Sequence, residues 1–333
     1  MGHAHPHVRG SPARRIATAG ALLVCVLVAE APVVAAPSSH LPSIGYLADE
    51  PTPDSIPVLR AALRERAWIE GQSVKIRDRY AQGKPELYAL HAAELVRLDV
   101  AVIVAVGVPA IEAARRATKT IPIVMVSVDD PVAAGLTPDP AANLTGLTAF
   151  VAELSARRLE LLKQVVPGVV RATALFNPTS TSAAADLRAT QAAAQAGSVE
   201  LASVEVRAAS DIKEVFTKVQ AQRPQGLIVL ADALTLARRE PIATLARRAR
   251  LPAVYALRDF ADAGGLLSYG AAWSDLFRQA AGFVDRILNG ARPSELPVTR
   301  ASRFELVINL RTARALALPL PASLLRRADR VIE

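Results

Sequence analysis

The segment Val100-Ala-Val-Ile-Val-Ala-Val106 is continuously apolar and rich in β-branched residues. That composition is typical of a strand buried on both faces, as in the middle of a parallel sheet. The segment Gly107-Val108-Pro109-Ala110 follows directly, and proline there favours the first turn of a helix. The stretch therefore predicts a strand–turn–helix unit of an α/β fold.

The same alternation extends in both directions along the chain. Apolar runs at 44–47, 74–76 and 121–128 belong with helical patterns at 54–68 and 85–98. The rhythm restarts with a helical pattern at 153–166, and later strands and helices alternate. Those strands are expected at 169–176, 199–206, 226–230 and 253–256, and the helices at 182–195, 212–222 and 235–249. We therefore predict two doubly wound parallel-sheet lobes, which also suits the length of 333 residues.

Three extended stretches connect the predicted lobes, at 143–148, 264–270 and 297–310. Several crossings between two lobes would form a multi-strand hinge on which the lobes can close. We expect lobe 1 at 41–147 with a return segment at 267–299. We expect lobe 2 at 148–266 with a C-terminal segment at 300–333.

The N-terminus has the pattern of a secretory signal peptide over residues 1–36. Basic residues (Arg9, Arg14 and Arg15) precede an apolar stretch at 16–29, and small residues follow. We expect cleavage after Ala35 or Ala36 and a periplasmic protein; an uncleaved anchor is the alternative. Cys25 is the only cysteine and lies in this leader, so the mature chain would form no disulfide.

Charge and composition argue against several functions. The chain carries +8, and a leader with three Arg and one Glu would leave +6 on the mature protein. The arginines are interleaved with acidic residues, and no basic tract contains aromatic residues, so no nucleic-acid partner is expected. His40 and His91 have no spaced partner, so we expect no metal. No phosphate loop, nucleophile elbow or zinc helix is present, which predicts a protein without cofactor or catalysis.

A series of short motifs resembles one known family. The chain from about Ser43 to Glu333 is similar to the substrate-binding proteins of ABC transporters, in the tryptophan- and tyrosine-binding group. The motifs that carry this resemblance are Ile44-Gly-Tyr46, Ala67-Trp-Ile-Glu-Gly-Gln72, Ala93-Glu-Leu-Val-Arg-Leu98, Ile121-Pro-Ile-Val124, Asp130-Pro-Val132, Asn143-Leu-Thr-Gly146, Arg158-Leu-Glu-Leu-Leu-Lys163, Phe176-Asn-Pro178, Leu251-Pro-Ala-Val-Tyr255, Ala263-Gly-Gly-Leu-Leu-Ser-Tyr-Gly270, Phe304-Glu-Leu-Val-Ile-Asn-Leu310 and Ser323-Leu-Leu-Arg-Arg-Ala-Asp329.

The resemblance implies a type I periplasmic-binding fold whose lobes close over a small organic molecule. The ligand would be an amino acid, with aromatic amino acids among the family's ligands, or a related carboxylate. It also implies delivery to an ABC permease and ATPase complex in the inner membrane. We expect the binding protein itself to be a monomer.

Open α/β sheets bind ligands beyond the carboxyl ends of their strands, which places candidate residues in both lobes. In lobe 1 these residues are Tyr46, Gly107, Val108, Pro109, Ala110, Ser127 and Asp130. Free N–H groups at the start of the helix after Gly107 suit a carboxylate. The family usually has Ser or Thr where this chain has Val108, so a hydroxyl donor is missing. Asp130 either accepts a bond from a ligand ammonium or caps a helix.

In lobe 2 the same rule selects Asn177, Thr179, Asp232, Tyr255 and Arg258. Arg258 either binds a ligand carboxylate or pairs with Asp259 or another neighbour. Tyr255 either stacks on a flat ligand or fills the cleft floor. Trp273 is expected to pack between helices.

Two other classes of function remain open. The first is an enzyme that uses the carboxylates of Asp130 and Asp232 across the cleft, because a fold alone does not fix a function. The second is the sensor lobe of a signalling system, for which the sequence offers no DNA-binding or membrane-signalling segment after the leader.

Overall fold

The computed structural model describes residues 41–52, 54–127, 143–149 and 153–333. The predicted signal peptide therefore lies outside the described residues. Among the helices that are described, none combines the length and the apolar character that a bilayer crossing requires.

Strands and helices alternate along the described chain. The first part contains β1 (Ser43–Ala48), α1 (Ile56–Arg64), β2 (Lys75–Tyr80), α2 (Pro85–Arg97), β3 (Val102–Val106), α3 (Val108–Ala117), β4 (Ile123–Ser127) and β5 (Leu144–Thr148). The middle part contains α4 (Glu153–Val165), β6 (Arg171–Phe176), α5 (Thr181–Ala196), β7 (Glu200–Glu205), α6 (Ile212–Ala221), β8 (Gly226–Val229), α7 (Ala233–Ala237), α8 (Arg239–Arg248), β9 (Ala253–Tyr255) and α9 (Arg258–Asp262). The last part contains β10 (Leu267–Ala271), α10 (Trp273–Leu288), β11 (Thr299–Arg300), β12 (Phe304–Asn309), α11 (Leu310–Ala315), α12 (Ala322–Leu325) and β13 (Arg330–Ile332).

The first sheet is parallel, with strand order β11-β5-β4-β3-β1-β2. Alternate residues of its strands enter two different cores, because successive side chains of a strand point to opposite faces. Val102 and Val104 pack with α1 and α10, whereas Ile103 and Ala105 pack with α2 and α3. Both faces of β3 are thus covered, as its continuous apolar run predicts. We call this sheet and its helices lobe 1.

The second sheet has strand order β13-β12-β10-β9-β8-β6-β7, and only β10 and β12 pair antiparallel among its described strands. It follows the same packing rule. Ala174 and Ile228 pack with α4 and α5, whereas Leu227 and Val229 pack with α6 and α8. We call this sheet and its helices lobe 2. The predicted fold class, with two doubly wound lobes, is confirmed.

The chain segments that join the lobes lie side by side. The Ala301 N–H donates to the Thr148 carbonyl at 2.8 Å, and the Ala272 N–H donates to the Arg303 carbonyl at 3.0 Å. Within lobe 2, Gly270 lets the end of β10 approach the segment after β9, since a Cβ at this position would meet the Ala256 carbonyl oxygen at 1.9 Å. The connecting segments therefore form a hydrogen-bonded set of crossings.

The structure differs from the predicted lobe boundary at residue 267. Strand β10 pairs with β9 and β12 and belongs to lobe 2, so the return segment of lobe 1 starts only with α10. That segment ends at Arg300, because β11 pairs with β5. The reason is that β10 pairs beside β9 in the second sheet before the chain crosses to α10.

The predicted helix at 235–249 is two helices, α7 and α8, separated at Arg238. Pro241 lies in the first turn of α8, where its missing N–H is tolerated. A continuous helix would instead leave the Ala237 carbonyl without its donor and in contact with the proline ring. The break turns the polypeptide just beside the carboxyl ends of the lobe 2 strands.

Candidate functional site

A cavity of about 430 Å³ lies beyond the carboxyl ends of the strands and is lined by residues of both lobes. Its size is within the range of small-molecule sites. Lobe 1 contributes the loop after β1, the start of α3 and the start of α10. Lobe 2 contributes the loops after β6 and β8 and the start of α9. The strand-end rule thus located most of the loops that line this space.

The neighbouring rings of Tyr46, Trp273 and Phe277 form one wall of the cavity, and Tyr88 lines it separately. Tyr46, Tyr88, Trp273 and Phe277 all line it. Trp273 stacks on Phe277 with ring centroids 5.9 Å apart, and Phe277 contacts Tyr46 at 6.4 Å. Four of the chain's 14 aromatic residues thus line one cavity, counting only described residues. This wall suits a flat apolar group.

The Tyr46 side chain is fully buried at the cavity. Its hydroxyl lies beside the Ser55 side chain but makes no hydrogen bond of good geometry among the described residues. Burial raises the pKa of Tyr46, so the hydroxyl is neutral and can both donate and accept. A buried polar group without a partner is unfavourable. A ligand in the cavity is one way to satisfy it.

The turn between β3 and α3 also borders the cavity. Gly107 has φ +81°, a conformation that other residues rarely adopt, and Pro109 lies in the first turn of α3. Gly107, Val108 and Pro109 line the cavity, but Ala110 is buried in the core of lobe 1. Val108 places an apolar side chain where the helix start faces the cavity.

The polar groups of lobe 2 are bonded to each other. The Asn177 amide donates to one Asp232 oxygen, and the other accepts from the Thr235 N–H at 2.8 Å. The side-chain amide oxygen of Asn177 accepts from both the N–H and the hydroxyl of Thr179. Asn177, Thr179 and Asp232 all line the cavity. Their first role is to fix the loops after β6 and β8.

Two ion pairs connect the lobes across the cavity. Arg258 of α9 bonds Asp54 of the loop after β1 at 3.0 Å, and Arg239 of α8 lies 3.8 Å from Glu50. Arg258 also lies 3.8 Å from Glu305 of β12. Burial raises the pKa of Glu305 to about 7, with Arg258 opposing this shift. Both pairs would break if the lobes separated.

Acidic side chains dominate the described lining of the cavity. The acids are Asp49, Glu50, Asp54, Glu112, Asp232 and Asp259, and the basic residue is Arg239. Three of the six have a basic partner, namely Glu50, Asp54 and Glu112.

Among the described residues, no three His, Cys, Asp or Glu side chains are grouped as metal ligands.

Several predicted residues lie elsewhere. Tyr255 is fully buried in lobe 2, where it stacks on Phe260 at 4.8 Å. Its position in β9 places it on the face covered by α6 and α8, so it does not line the cavity. Ser127 is buried at the end of β4, and Arg258 is engaged in the ion pairs described above. Asp130 lies outside the described residues.

Sequence reasoning missed two parts of the site. The acidic loop after β1, with Asp49, Glu50 and Asp54, follows the first predicted strand, so the strand-end rule could have included it. Trp273 was expected to pack between helices, and it does contact both cores, but it also lines the cavity. No local signal indicates this, since α10 reaches lobe 1 from the far end of the chain.

The molecule has two mostly parallel sheets, and hydrogen-bonded crossings join them. A cavity lies at the strand ends of both sheets. This arrangement defines a type I periplasmic-binding-protein-like fold. Residues 56–332 match the family model described as ABC transporter substrate binding protein, and the chain belongs to that family. It is 24% identical to the tyrosine-binding protein of Clostridioides difficile (strain R20291) over 258 residues, covering 77% of this chain and 74% of that protein.

Two solved structures share the fold. A conserved domain protein from Vibrio cholerae is 25% identical, with a TM-score of 0.80, over 88% of this chain and 100% of that one. An ABC domain from Streptococcus pneumonia, in complex with L-Trp, is 23% identical with a TM-score of 0.78 over the same shares.

Proposed function

We propose that this protein is an extracytoplasmic solute-binding protein of an ABC importer and binds a small organic molecule between its lobes. The observation that carries the proposal is the cavity itself, which strand-end loops of both lobes line together. A site shared between two lobes binds its ligand best when the lobes are closed. Closure on ligand is a hinge motion, and the crossings at Thr148, Ala272 and Ala301 are its expected location.

The proposal includes the protein's partners and place. Membership of the family favours a membrane permease with its ATPase as the recipient of the ligand. A leader over residues 1–36 would place the mature chain in the periplasm, where such a receptor acts. The protein would act as a monomer, without cofactor, and release its ligand unchanged.

The cross-lobe ion pairs suggest how closure is stabilised. Asp54 and Arg258 are each largely shielded from solvent, and their contact exists only when the loop after β1 meets α9. The pair would therefore favour the closed arrangement, and ligand would add its own contacts to both lobes. A relative named as a tyrosine-binding protein and a similar structure solved in complex with L-Trp support an organic ligand of amino-acid size.

The proposal can be tested on protein purified without denaturation. Small molecules released from it are identified by mass spectrometry, and each is then added back in a thermal-shift assay. We expect at least one to raise Tm and, in small-angle X-ray scattering, to reduce the radius of gyration. Chemical conversion of the bound molecule would instead support the carboxylate-enzyme alternative.

A further inference from the structure

We propose that the ligand is an organic cation, with an ammonium or similar group on a flat apolar body, and that it needs no carboxylate. This inference rests on the proposed function, because it names the chemical class of the molecule held between the lobes. It differs from a simple transfer of amino-acid binding from the relatives.

The charge of the cavity is the first observation. The described lining residues include six acids and one base, so the lining is net negative, although the chain as a whole carries +8. Arg116 and Arg258 do not line the cavity, but each pairs with a lining acid. When these two arginines are counted as well, the acids are still in excess. A ligand carboxylate would enter this field against repulsion, whereas an ammonium would be attracted.

Asp259 is a lining carboxylate that a ligand ammonium could pair with. It lines the cavity at the start of α9 and makes no salt bridge with another described side chain. Burial raises the pKa of its carboxyl group, and a hydrogen bond from its own backbone N–H, followed by the charges of Arg239 and Arg258, opposes that shift. A ligand ammonium would give this carboxylate a charge-assisted hydrogen bond.

The aromatic wall is independent of the acids and also fits a cation. Of the clustered rings of Tyr46, Trp273 and Phe277, only that of Trp273 is partly exposed, and the face of a tryptophan attracts a cation most strongly. The fully buried Tyr46 hydroxyl makes no hydrogen bond of good geometry among the described residues, although the Ser55 side chain lies beside it, and it can accept from an ammonium. An apolar body with a cationic head would satisfy both the rings and this hydroxyl.

The helix start that would hold a carboxylate is poorly equipped for it. Val108 offers no hydroxyl, Pro109 has no N–H, and the Gly107 N–H already donates to the Val126 carbonyl at 2.9 Å. Arg239, the basic residue of the described lining, faces Glu50. An inorganic cation is less suited than an organic one, since no metal-ligand group exists among the described residues.

The test uses two matched series measured by calorimetry and thermal shift. The first is tryptamine, L-tryptophan and indole-3-acetate; the second is tyramine, L-tyrosine and 4-hydroxyphenylacetate. Within a series the body is constant and the charge changes from positive to zwitterionic to negative. We expect the amine to bind about tenfold or more tightly than the acid, with the amino acid between them.

Three variants sharpen the result, read as the ratio of acid Kd to amine Kd. A general loosening of the cleft leaves this ratio unchanged, whereas a change of cavity charge moves it. Asp259→Asn should lower the ratio about tenfold, and Arg239→Gln should raise it several-fold. Glu240→Gln is the control: like Asp259→Asn it removes one negative charge, but Glu240 is exposed and does not line the cavity. It should leave the ratio unchanged.

Failure of the inference is distinguishable from failure of the proposed function. If an acid or an amino acid binds as tightly as its amine, the cation is wrong but solute binding stands. If neither series binds, the molecule released from natively purified protein decides by its charge: a cation supports the inference, and an anion or neutral molecule overturns it. If the protein releases no molecule and no compound raises Tm, both proposals fall.

Discussion

The two lobes present different kinds of surface to the same cavity. On the lobe 1 side, the Tyr46 hydroxyl makes no hydrogen bond of good geometry among the described residues, and the half-buried rings of Tyr88 and Trp273 line the space. On the lobe 2 side, Asn177 and Asp232 are bonded to each other and to their own loop. Lobe 1 thus offers aromatic rings and a hydroxyl without a well-formed hydrogen bond, whereas lobe 2 offers a pre-formed polar frame and the Asp259 carboxylate, which makes no salt bridge among the described residues. Strand ends locate both surfaces, but only the partners of each group decide what it can bind.

The largest expected effect is that of Tyr255→Ala, which tests whether this lobe 2 residue is structural. Tyr255 is fully buried against Phe260, so truncation should lower the free energy of unfolding by about 3–5 kcal/mol. Urea unfolding measures this loss. At a temperature where the variant is folded, its ligand Kd should match the wild type, because the ring does not line the cavity. A folded variant with weakened binding would move Tyr255 into the site.

The contrast between Tyr255 and Tyr46 shows how far the sequence leads. Both end or nearly end a predicted strand, and both were expected at the cleft. The alternation of side chains along a strand predicts which face of the sheet each residue lies on. It does not predict which helix covers that face. Helix α9 and Phe260 cover Tyr255, whereas Tyr46 meets α10, which follows it by more than 200 residues. Strands and helices were therefore predictable, while the wall made with Trp273 depended on long-range packing.

The next effect is a pH dependence of stability that arises from Glu305, which lies near the ion pair between the lobes. Burial raises the pKa of Glu305 from 4.5 to about 7, with Arg258 lowering it and Asp54 and Asp329 raising it. The folded state then binds the proton more tightly than the unfolded state, so stability falls as pH rises from about 4.5 to about 7. The loss from this group is at most about 3 kcal/mol.

Glu305→Gln tests this assignment directly. The amide cannot titrate, so the pH-dependent part of the unfolding free energy that Glu305 contributes should disappear. Urea unfolding at pH 5 and pH 8 should then show the variant gaining most over wild type at pH 8. An equal pH dependence in both proteins would mean that Glu305 titrates normally. Exposed Glu240→Gln is the control, with no expected change at either pH.

A smaller effect is expected from the ion pair that joins the two lobes. Arg258→Ala and Asp54→Ala should each weaken ligand binding by about 1–2 kcal/mol, because the partly buried pair favours closure. In the double variant the losses should not add, since each removes the same contact. Additive losses, or an unchanged radius of gyration with ligand present, would count against a closure contact.

The smallest and most specific comparison is Tyr46→Phe against Tyr255→Phe. Each change removes a buried hydroxyl that has no partner among the described residues, so the ligand-free protein should be equally stable or gain about 1 kcal/mol in both. Only Tyr46 lines the cavity, and its variant alone should bind ligand three- to tenfold more weakly, as for one lost neutral hydrogen bond. Calorimetry on both variants measures this difference. If both variants bind ligand with equal affinity, the ligand makes no hydrogen bond to the Tyr46 hydroxyl. The two lobes would then differ in ligand binding only through their charges and aromatic rings.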